Sequence, residues 1–229
     1  MFKYLSFSGE ETLDFHTINK LRKNYHQKDK IIENSLPDSP HILFKNWFET
    51  ATKNSQFYEE PNAMVLSTIN SDLEPNSRVV LLKSYDEKKM TFYTNYESRK
   101  SKDIRSKPSV SSLFYWPRLA RQIIIKGSIV KGDPDEANQY FATRSRESQI
   151  AAWASKQSSV LNSHEDLLKR YEKYKEKFEG QKVLRPNFWG NYDILPTSYE
   201  FWQGQKDRMH DRILYTREGK SWKKERRSP

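Results

Sequence analysis

Cationic and hydrogen-bonding side chains gather at a few points along this chain, in combinations suited to holding anions. Arg78 and Lys83 bracket the apolar run Val79-Val80-Leu81-Leu82 and stand five residues apart. In a strand that odd spacing sends them to opposite faces unless a bulge or bend intervenes. Ser98-Arg99-Lys100 stands where a helix is expected to begin. There, free backbone N–H groups, the positive end of the helix dipole and two cations make a phosphate cradle. Solvated helix residues fit the same spacing equally well. Tyr140, Arg144 and Ser148 recur at four-residue intervals, which on one helix lines up a phenol, a guanidinium and a hydroxyl. All three donate hydrogen bonds and none is negative, so a dianionic phosphate suits them. A core tyrosine beside an exposed arginine is the commoner arrangement, and a break near Ser145 to Glu147 would end the alignment. Finally, Glu200-Phe201-Trp202-Gln203-Gly204 and Arg208-Met209-His210-Asp211-Arg212 set aromatic rings beside a dense charged group. They could line a pocket for a planar, charged ligand, or form core and a salt-bridged hairpin.

Other chemistries are excluded by what is missing. The 229 residues include no cysteine, which removes disulfides, thiolate nucleophiles and zinc–thiolate sites. There is no P-loop, no dinucleotide fingerprint and no G-x-S-x-G elbow. His164-Glu165 opens like a zinc-protease helix, but position 168 is Leu, and with five scattered histidines no metal site is expected. The formal charge of +10, from 40 Lys+Arg against 30 Asp+Glu, leaves either a nucleic acid or small phosphorylated ligands as partners. The start, Met1 to Glu10, lacks a signal-peptide apolar region, and no segment approaches the ~18 apolar residues of a membrane span. A cytoplasmic protein without a membrane partner is therefore expected.

These residues need a frame. Aromatics make up 14% of the chain, enough bulky material to build a core despite a hydrophobic fraction of only 35%. Residues 1–61 read as a basic arm followed by a helix opening at Ser39-Pro40, with Ile42, Leu43, Phe44, Trp47 and Phe48 at helical spacing. Residues 62–229 read as a barrel domain, and nothing marks a linker between the two parts. Strands are expected at Met64–Ile69, Arg78–Lys83, Met90–Thr94, Val110–Tyr115 and Gln122–Val130, and again at Ser198–Gln203, Arg212–Arg217 and Trp222–Arg226. Their connections are mostly too short for βαβ crossovers, so the pairing should be antiparallel. A short helix is expected over Ser98–Lys107 with Ser98 as its cap. Another begins at Asp133-Pro134-Asp135-Glu136, and a longer one spans roughly Ser163 to Phe178. The resulting fold class is mostly antiparallel β with inserted helices.

At these same clusters the sequence resembles the pyridoxine (pyridoxamine) 5′-phosphate oxidases. The likeness runs from about Arg22 to the last residue, through Arg78 to Lys83, Phe92-Tyr93-Thr94-Asn95, Ser98-Arg99-Lys100 and Arg121-Gln122. It continues through Tyr140-Phe141 with Arg144, Ser148-Gln149-Ile150, Ala152 to Ser158, Phe188-Trp189-Gly190, and the two clusters at 200–204 and 208–212. Four positions depart from the family pattern, one of them mildly, since Met209 stands where a leucine is usual. Asn191 and Asp193 stand where a second glycine and an arginine are common, and Arg227 stands where an apolar residue is typical.

The resemblance implies an FMN-binding split β-barrel in a homodimer, with FMN sites formed at the subunit interface. It implies that FMN is held by Arg78, Val79, Val80, Leu81, Leu82 and Lys83, by Tyr93 and Thr94, and by Arg99 and Lys100. Gln122, Gln157, Ser158, Trp202 and Arg212 complete that set. The substrate phosphate falls to Lys83, Tyr140, Arg144 and Ser148, and the pyridine ring to the catalytic Arg208 and His210. Arg22 and Tyr25 match a segment that closes over the site. The implied reaction oxidises pyridoxine or pyridoxamine 5′-phosphate with O2 to pyridoxal 5′-phosphate, releasing H2O2 and, from the amine, ammonia. Another split-barrel flavin oxidoreductase or flavin reductase, and a basic nucleic-acid-binding barrel, are the competing readings.

Overall fold

The computed structural model of the chain describes Tyr25 and residues 30–229. After a 3-10 turn at Glu33–Ser35, helix α1 (Pro40–Asn54) opens with proline in its first turn and buries Phe44, Trp47 and Ala51. Its ring contacts reach across the sheet layer, Phe44 to Phe114 at 5.4 Å and Trp47 to Phe201 at 5.3 Å, both edge to face. Ile42, expected on the apolar stripe, is instead 46% exposed. The stripe therefore runs through 44, 47 and 51, at intervals of three and four residues.

Nine strands follow: β1 (Ala63–Ile69), β2 (Pro75–Leu81), β3 (Ser84–Tyr85), β4 (Met90–Asn95), β5 (Ser109–Trp116), β6 (Arg121–Lys131), β7 (Trp189–Gln203), β8 (Asp211–Glu218) and β9 (Ser221–Arg226). All pairings are antiparallel, in the order β2-β1-β5-β6-β7-β4-β3, with β8 on β7 and β9 on β8. Helix α2 (Arg99–Ser106) joins β4 to β5. Helices α3 (Pro134–Thr143), α4 (Arg146–Ala154) and α5 (His164–Lys177) are inserted between β6 and β7. Asp133 caps α3 through its carboxylate, which accepts the Asp135 N–H at 2.8 Å. Ser98 holds the N-cap position of α2, but its hydroxyl turns back to donate to the Asn95 carbonyl at 2.7 Å and makes no capping bond.

Strand β7 forks the sheet. It pairs with β6 along its whole length, while residues 189–194 of its other edge pair with β4 and residues 198–203 with β8. The bend lies at Pro196, which lacks an N–H for the ladder, opposite a register shift at Lys126/Gly127. Gly127 is required there, because a Cβ would sit 2.2 Å from the Leu195 carbonyl oxygen. The fork lets the path from β2 to β4 curl on itself around a core in which Phe92, Phe114, Ile123, Ile125, Phe201 and Tyr215 are fully buried. Each such side chain stabilises the fold by roughly 1.5–3 kcal/mol. The result is a split barrel, and its split is the seam between β2 and β4.

Candidate active site

The seam is open as a cavity of about 610 Å³, walled by β2, β4, the start of α2, the α3–α4 corner and residues 155–158. Arg78 and Lys83 both reach it: β2 ends at Leu81, and the chain bends before Lys83, whose N–H donates to the Thr91 carbonyl at 2.9 Å. The Arg78 guanidinium donates to Thr68 Oγ1 at 2.6 Å and to the Leu66 carbonyl at 3.2 Å, with Asp103 at 3.6 Å. Burial lowers its pKa, and the Asp103 charge opposes that. Lys100 is buried, and its Nζ donates only to neutral oxygens: Gln157 Oε1 at 2.9 Å, Thr94 Oγ1 at 3.1 Å and Ser98 Oγ at 3.2 Å. Burial, with the nearby Arg78 charge, pushes its pKa down to about 8.

At the other side of the cavity the chain breaks between α3 and α4. Tyr140 is on α3, Arg144 has extended backbone (φ −72°, ψ 151°), Ser145 caps the next helix, and Ser148 belongs to α4. The single-helix ladder is thus interrupted at Arg144, because the Ser145 hydroxyl competes for the new helix's first N–H groups and accepts that of Ser148. Tyr140 and Arg144 line the cavity; Ser148 does not. Tyr93, Tyr140 and Trp189 lie nearly parallel, with Tyr93 3.9 Å from Tyr140 and 5.4 Å from Trp189. The Arg144 guanidinium lies 4.8 Å over Trp189. Its Nη1 is buried with no hydrogen-bond partner among the described residues, and burial lowers the pKa of the group.

The other site residues lie elsewhere, on the hairpin joining β7 to β8. Gln122, Trp202 and Arg212 are register neighbours across β6, β7 and β8. The His210 ring is 4.8 Å from Trp202, and the Tyr25 ring packs edge to face on both, at 5.6 and 5.7 Å. His210 Nδ1 accepts the Gln205 N–H at 3.0 Å, so the neutral ring carries its proton on Nε2. Burial, and then the Arg208 charge, lowers the His210 pKa and keeps the ring neutral near pH 7. Asp207 and Arg208 both hold positive φ, 56° and 62°, at a cost of about 1–2 kcal/mol each. Arg212 is tied to Glu200 Oε1 at 2.7 and 3.0 Å.

Of the residues expected to hold a ligand, Val79, Val80, Leu81, Thr94, Gln157 and Ser158 join Arg78, Lys83, Tyr93, Lys100, Tyr140 and Arg144 at the cavity. Leu82 is buried in the core, and Arg99 is exposed outside the lining. None of the hairpin residues lines the cavity, since β8 pairs with residues 198–203 of β7, past the bend from residues 189–194, where β4 carries the cavity wall. Arg22 lies outside the described residues. The lining adds Asn95, Ala151, Ala152, Ser155 and Trp189. Trp189 sits in a motif of the resemblance, though no role was assigned to it there.

A forked, curled sheet whose seam exposes buried cations to one cavity defines a split-barrel protein built to take phosphorylated ligands. Residues 51–177 match the family model described as "Pyridoxamine 5'-phosphate oxidase". Residues 189–229 match the one described as "Pyridoxine 5'-phosphate oxidase C-terminal dimerisation region". The chain is 45% identical over 208 residues to the pyridoxine/pyridoxamine 5′-phosphate oxidase of Christiangramia forsetii, covering 91% of this chain and 96% of the relative. It is also 45% identical over 209 residues to that of Rubrobacter xylanophilus, covering 91% and 95%. Among solved structures, PhzG from Burkholderia lata in complex with tetrahydrophenazine-1-carboxylic acid superposes with a TM-score of 0.81 at 30% identity, over 88% of this chain and 98% of that one. An FMN-binding, pyridoxamine 5′-phosphate oxidase-related protein of Nostoc punctiforme shares the fold, with a TM-score of 0.64 at 13% identity, over 81% and 97%.

The chain belongs to the pyridoxine/pyridoxamine 5′-phosphate oxidase family. It is an oxidoreductase of pyridoxal 5′-phosphate synthesis and carries the family's dimerisation region. Among the described residues no helix is long and apolar enough to cross a membrane.

Proposed function

We propose that a homodimer of this chain uses FMN to oxidise pyridoxine 5′-phosphate or pyridoxamine 5′-phosphate to pyridoxal 5′-phosphate. Each site takes its seam from one copy and its hairpin from the other. The observation that carries this reading is that Arg144 and Lys100, both desolvated, face one cavity without a carboxylate partner among the described residues. Buried cations need compensation, and the two ligands of this reaction bring one phosphate each. The residues present fit FMN: Lys100 and Arg78 offer a cationic end, and the cavity volume lies in the range of cofactor sites. Lys83, Tyr140 and the Arg144 Nη1 then suit the substrate phosphate. The hairpin residues lie within residues 189–229, which match a dimerisation region, and this supports a reading in which they reach a neighbouring copy's seam.

Bound FMN, held by Arg78 and Lys100, would supply the redox chemistry, a two-electron oxidation at the substrate's C4′ carbon with dioxygen as final acceptor and H2O2 as its product; from the amine, water would then hydrolyse the imine to the aldehyde and ammonia. The chain's residues do the rest. Phosphate contacts far from C4′ fix the substrate's position and convert binding energy into alignment. Arg208 holds the pyridine ring from the hairpin, and neutral His210 presents Nε2–H toward it. Trp202 and Tyr25 shield that hairpin from water.

A second reading follows from the PhzG likeness, in which a ring carboxylate replaces the phosphate ester. Lys83, Tyr140 and Arg144 favour a dianionic phosphate over a single carboxylate. The test is optical. The purified protein should be yellow, and its flavin absorbance should bleach when pyridoxine 5′-phosphate is added without oxygen. A colourless protein unable to take up FMN would overturn the proposal, and bleaching only by a tricyclic carboxylate would favour the second reading.

A further inference from the structure

Glu136 lies one helical turn before Tyr140 on α3, and the sheet holds it from below. Lys89, in the turn ahead of β4, donates to both Glu136 carboxylate oxygens at 2.9 Å and to Asp193 Oδ2 at 3.2 Å. Asp193, on β7, is nearly buried, and its other oxygen accepts from Thr91 Oγ1 on β4 at 2.7 Å. Two residues earlier on the same strand face, Asn191 Nδ2 lies 3.4 Å from Glu136 Oε2. Gly132 makes room for that amide, because a Cβ there would stand 2.0 Å from Asn191 Nδ2. One ammonium thus bridges two carboxylates belonging to different elements. Asn191 and Asp193 are also the positions where this chain departs from the family's glycine and arginine.

The consequence for the site follows from how α3 is docked. Its fully buried contacts are Ala137 and Phe141, a single stripe on one side, and one apolar stripe leaves a short helix free to rock about that line. The helix ends at Thr143, and its last turn meets β4 through the Tyr140 ring stacked on Tyr93 at 3.9 Å. The Lys89 bridge adds a second anchor, at the first turn. It also keeps the Glu136 charge turned toward the sheet, ~6 Å along the helix from Tyr140. Without it, a free carboxylate would stand near the place where Tyr140 and Arg144 meet an anion. Lys89 is charged throughout the working range, since its bonds to Glu136 and Asp193 raise its pKa.

We propose that Lys89, Glu136 and Asp193 form a positioning clamp for the phosphate subsite, fixing α3 on β4 and β7 so that Tyr140 and Arg144 meet the substrate phosphate. In this chain Asp193, supported by Asn191, supplies the sheet side of that clamp. The inference rests on Tyr140 and Arg144 being the substrate's phosphate ligands, as proposed above.

The test is steady-state kinetics of the FMN-loaded enzyme with pyridoxine 5′-phosphate, comparing Lys89→Met, Lys89→Arg and Tyr140→Phe. Lys89→Met should raise KM roughly 5- to 20-fold, with kcat within about twofold and FMN affinity unchanged. Lys89→Arg, which keeps the bridge, should return KM to within about threefold of the parent. A role in general stability would instead lower kcat, FMN retention and Tm together, and that result overturns the clamp. So does an unchanged KM in Lys89→Met when Tyr140→Phe raises it. An unchanged KM in Tyr140→Phe itself would overturn the phosphate assignment beneath the proposal. If Lys89→Met does not accumulate, the near-isosteric Glu136→Gln should show the same KM-only effect at roughly 3- to 5-fold, and its absence counts equally against the clamp.

Discussion

The seam and the hairpin carry similar residue types but leave them in opposite electrostatic states. In the seam Arg78 keeps Asp103 at 3.6 Å, but Lys100 and Arg144 are desolvated and meet neutral oxygens or aromatic faces. Around the hairpin, cations close on carboxylates: Arg212 on Glu200, and Arg226 of β9 on both Asp211 and Glu33. Gln205 Nε2 and the Ile31 N–H add further bonds to Asp211, at 3.0 and 3.2 Å. Cations left without counter-charges are prepared for an anion that arrives later, whereas paired ones hold a shape. On the proposed reading the seam is the binding half of the site, and the hairpin is a braced arm that presents Arg208 and His210. That division explains why the strained Asp207-Arg208 backbone persists, since the surrounding bonds over-determine it.

The contrast can be pressed hardest at the arm. Arg208→Ala should lower kcat/KM by about 10²- to 10³-fold while FMN stays bound, because the proposed site sets this side chain against the substrate ring and away from the cofactor. Near-normal turnover would remove Arg208 from the chemistry. Next comes the seam: Arg144→Met should raise KM for pyridoxine 5′-phosphate about 10- to 100-fold, the size of one charge-assisted phosphate contact. Inhibition by inorganic phosphate should weaken in parallel.

Lys100 gives a pH test of the seam. With its pKa lowered to about 8 in the ligand-free protein, it is charged below that pH and neutral above. A bound phosphate favours the charged form, so FMN affinity should fall as pH rises through 8, by up to about tenfold per unit until near pH 10. Stability without FMN should move the other way. The unfolded lysine holds its proton to higher pH, so the folded state gains between about pH 8 and 10. Lys100→Met should flatten both curves. The smallest effect belongs to the brace: Arg226→Gln should reduce kcat/KM only about 2- to 5-fold, as befits a partly exposed ion pair.

The sequence made these two halves legible as chemistry but not as places. Strands with one buried face announced themselves by alternation, as β6 does with Arg121, Ile123, Ile125 and Gly127 buried and their neighbours less so. The first half of β7 did not, because residues 189–194 are buried on both faces and mix Gly190, Asn191 and Asp193 into the run. It is that hidden half-strand that forks the sheet. The ladder of Tyr140, Arg144 and Ser148 was visible as spacing, yet its break at Arg144 depends on Ser145 capping a second helix. The distance between seam and hairpin could not be read at all, since it comes from strand order rather than from separation along the chain.

The central claim is that one working site is assembled from two copies, and mixed dimers test it most directly. Arg144→Ala damages the seam and Arg208→Ala the arm, so each homodimer, assayed with substrate well below the parent KM, should be nearly inactive. Mixed after co-expression, half the dimers carry both variants, and each of those has one site with both halves intact. Activity should then recover to about a quarter of the parent value. If seam and arm served the same copy's site, no intact site could form, and activity as low as that of the single variants would contradict the account.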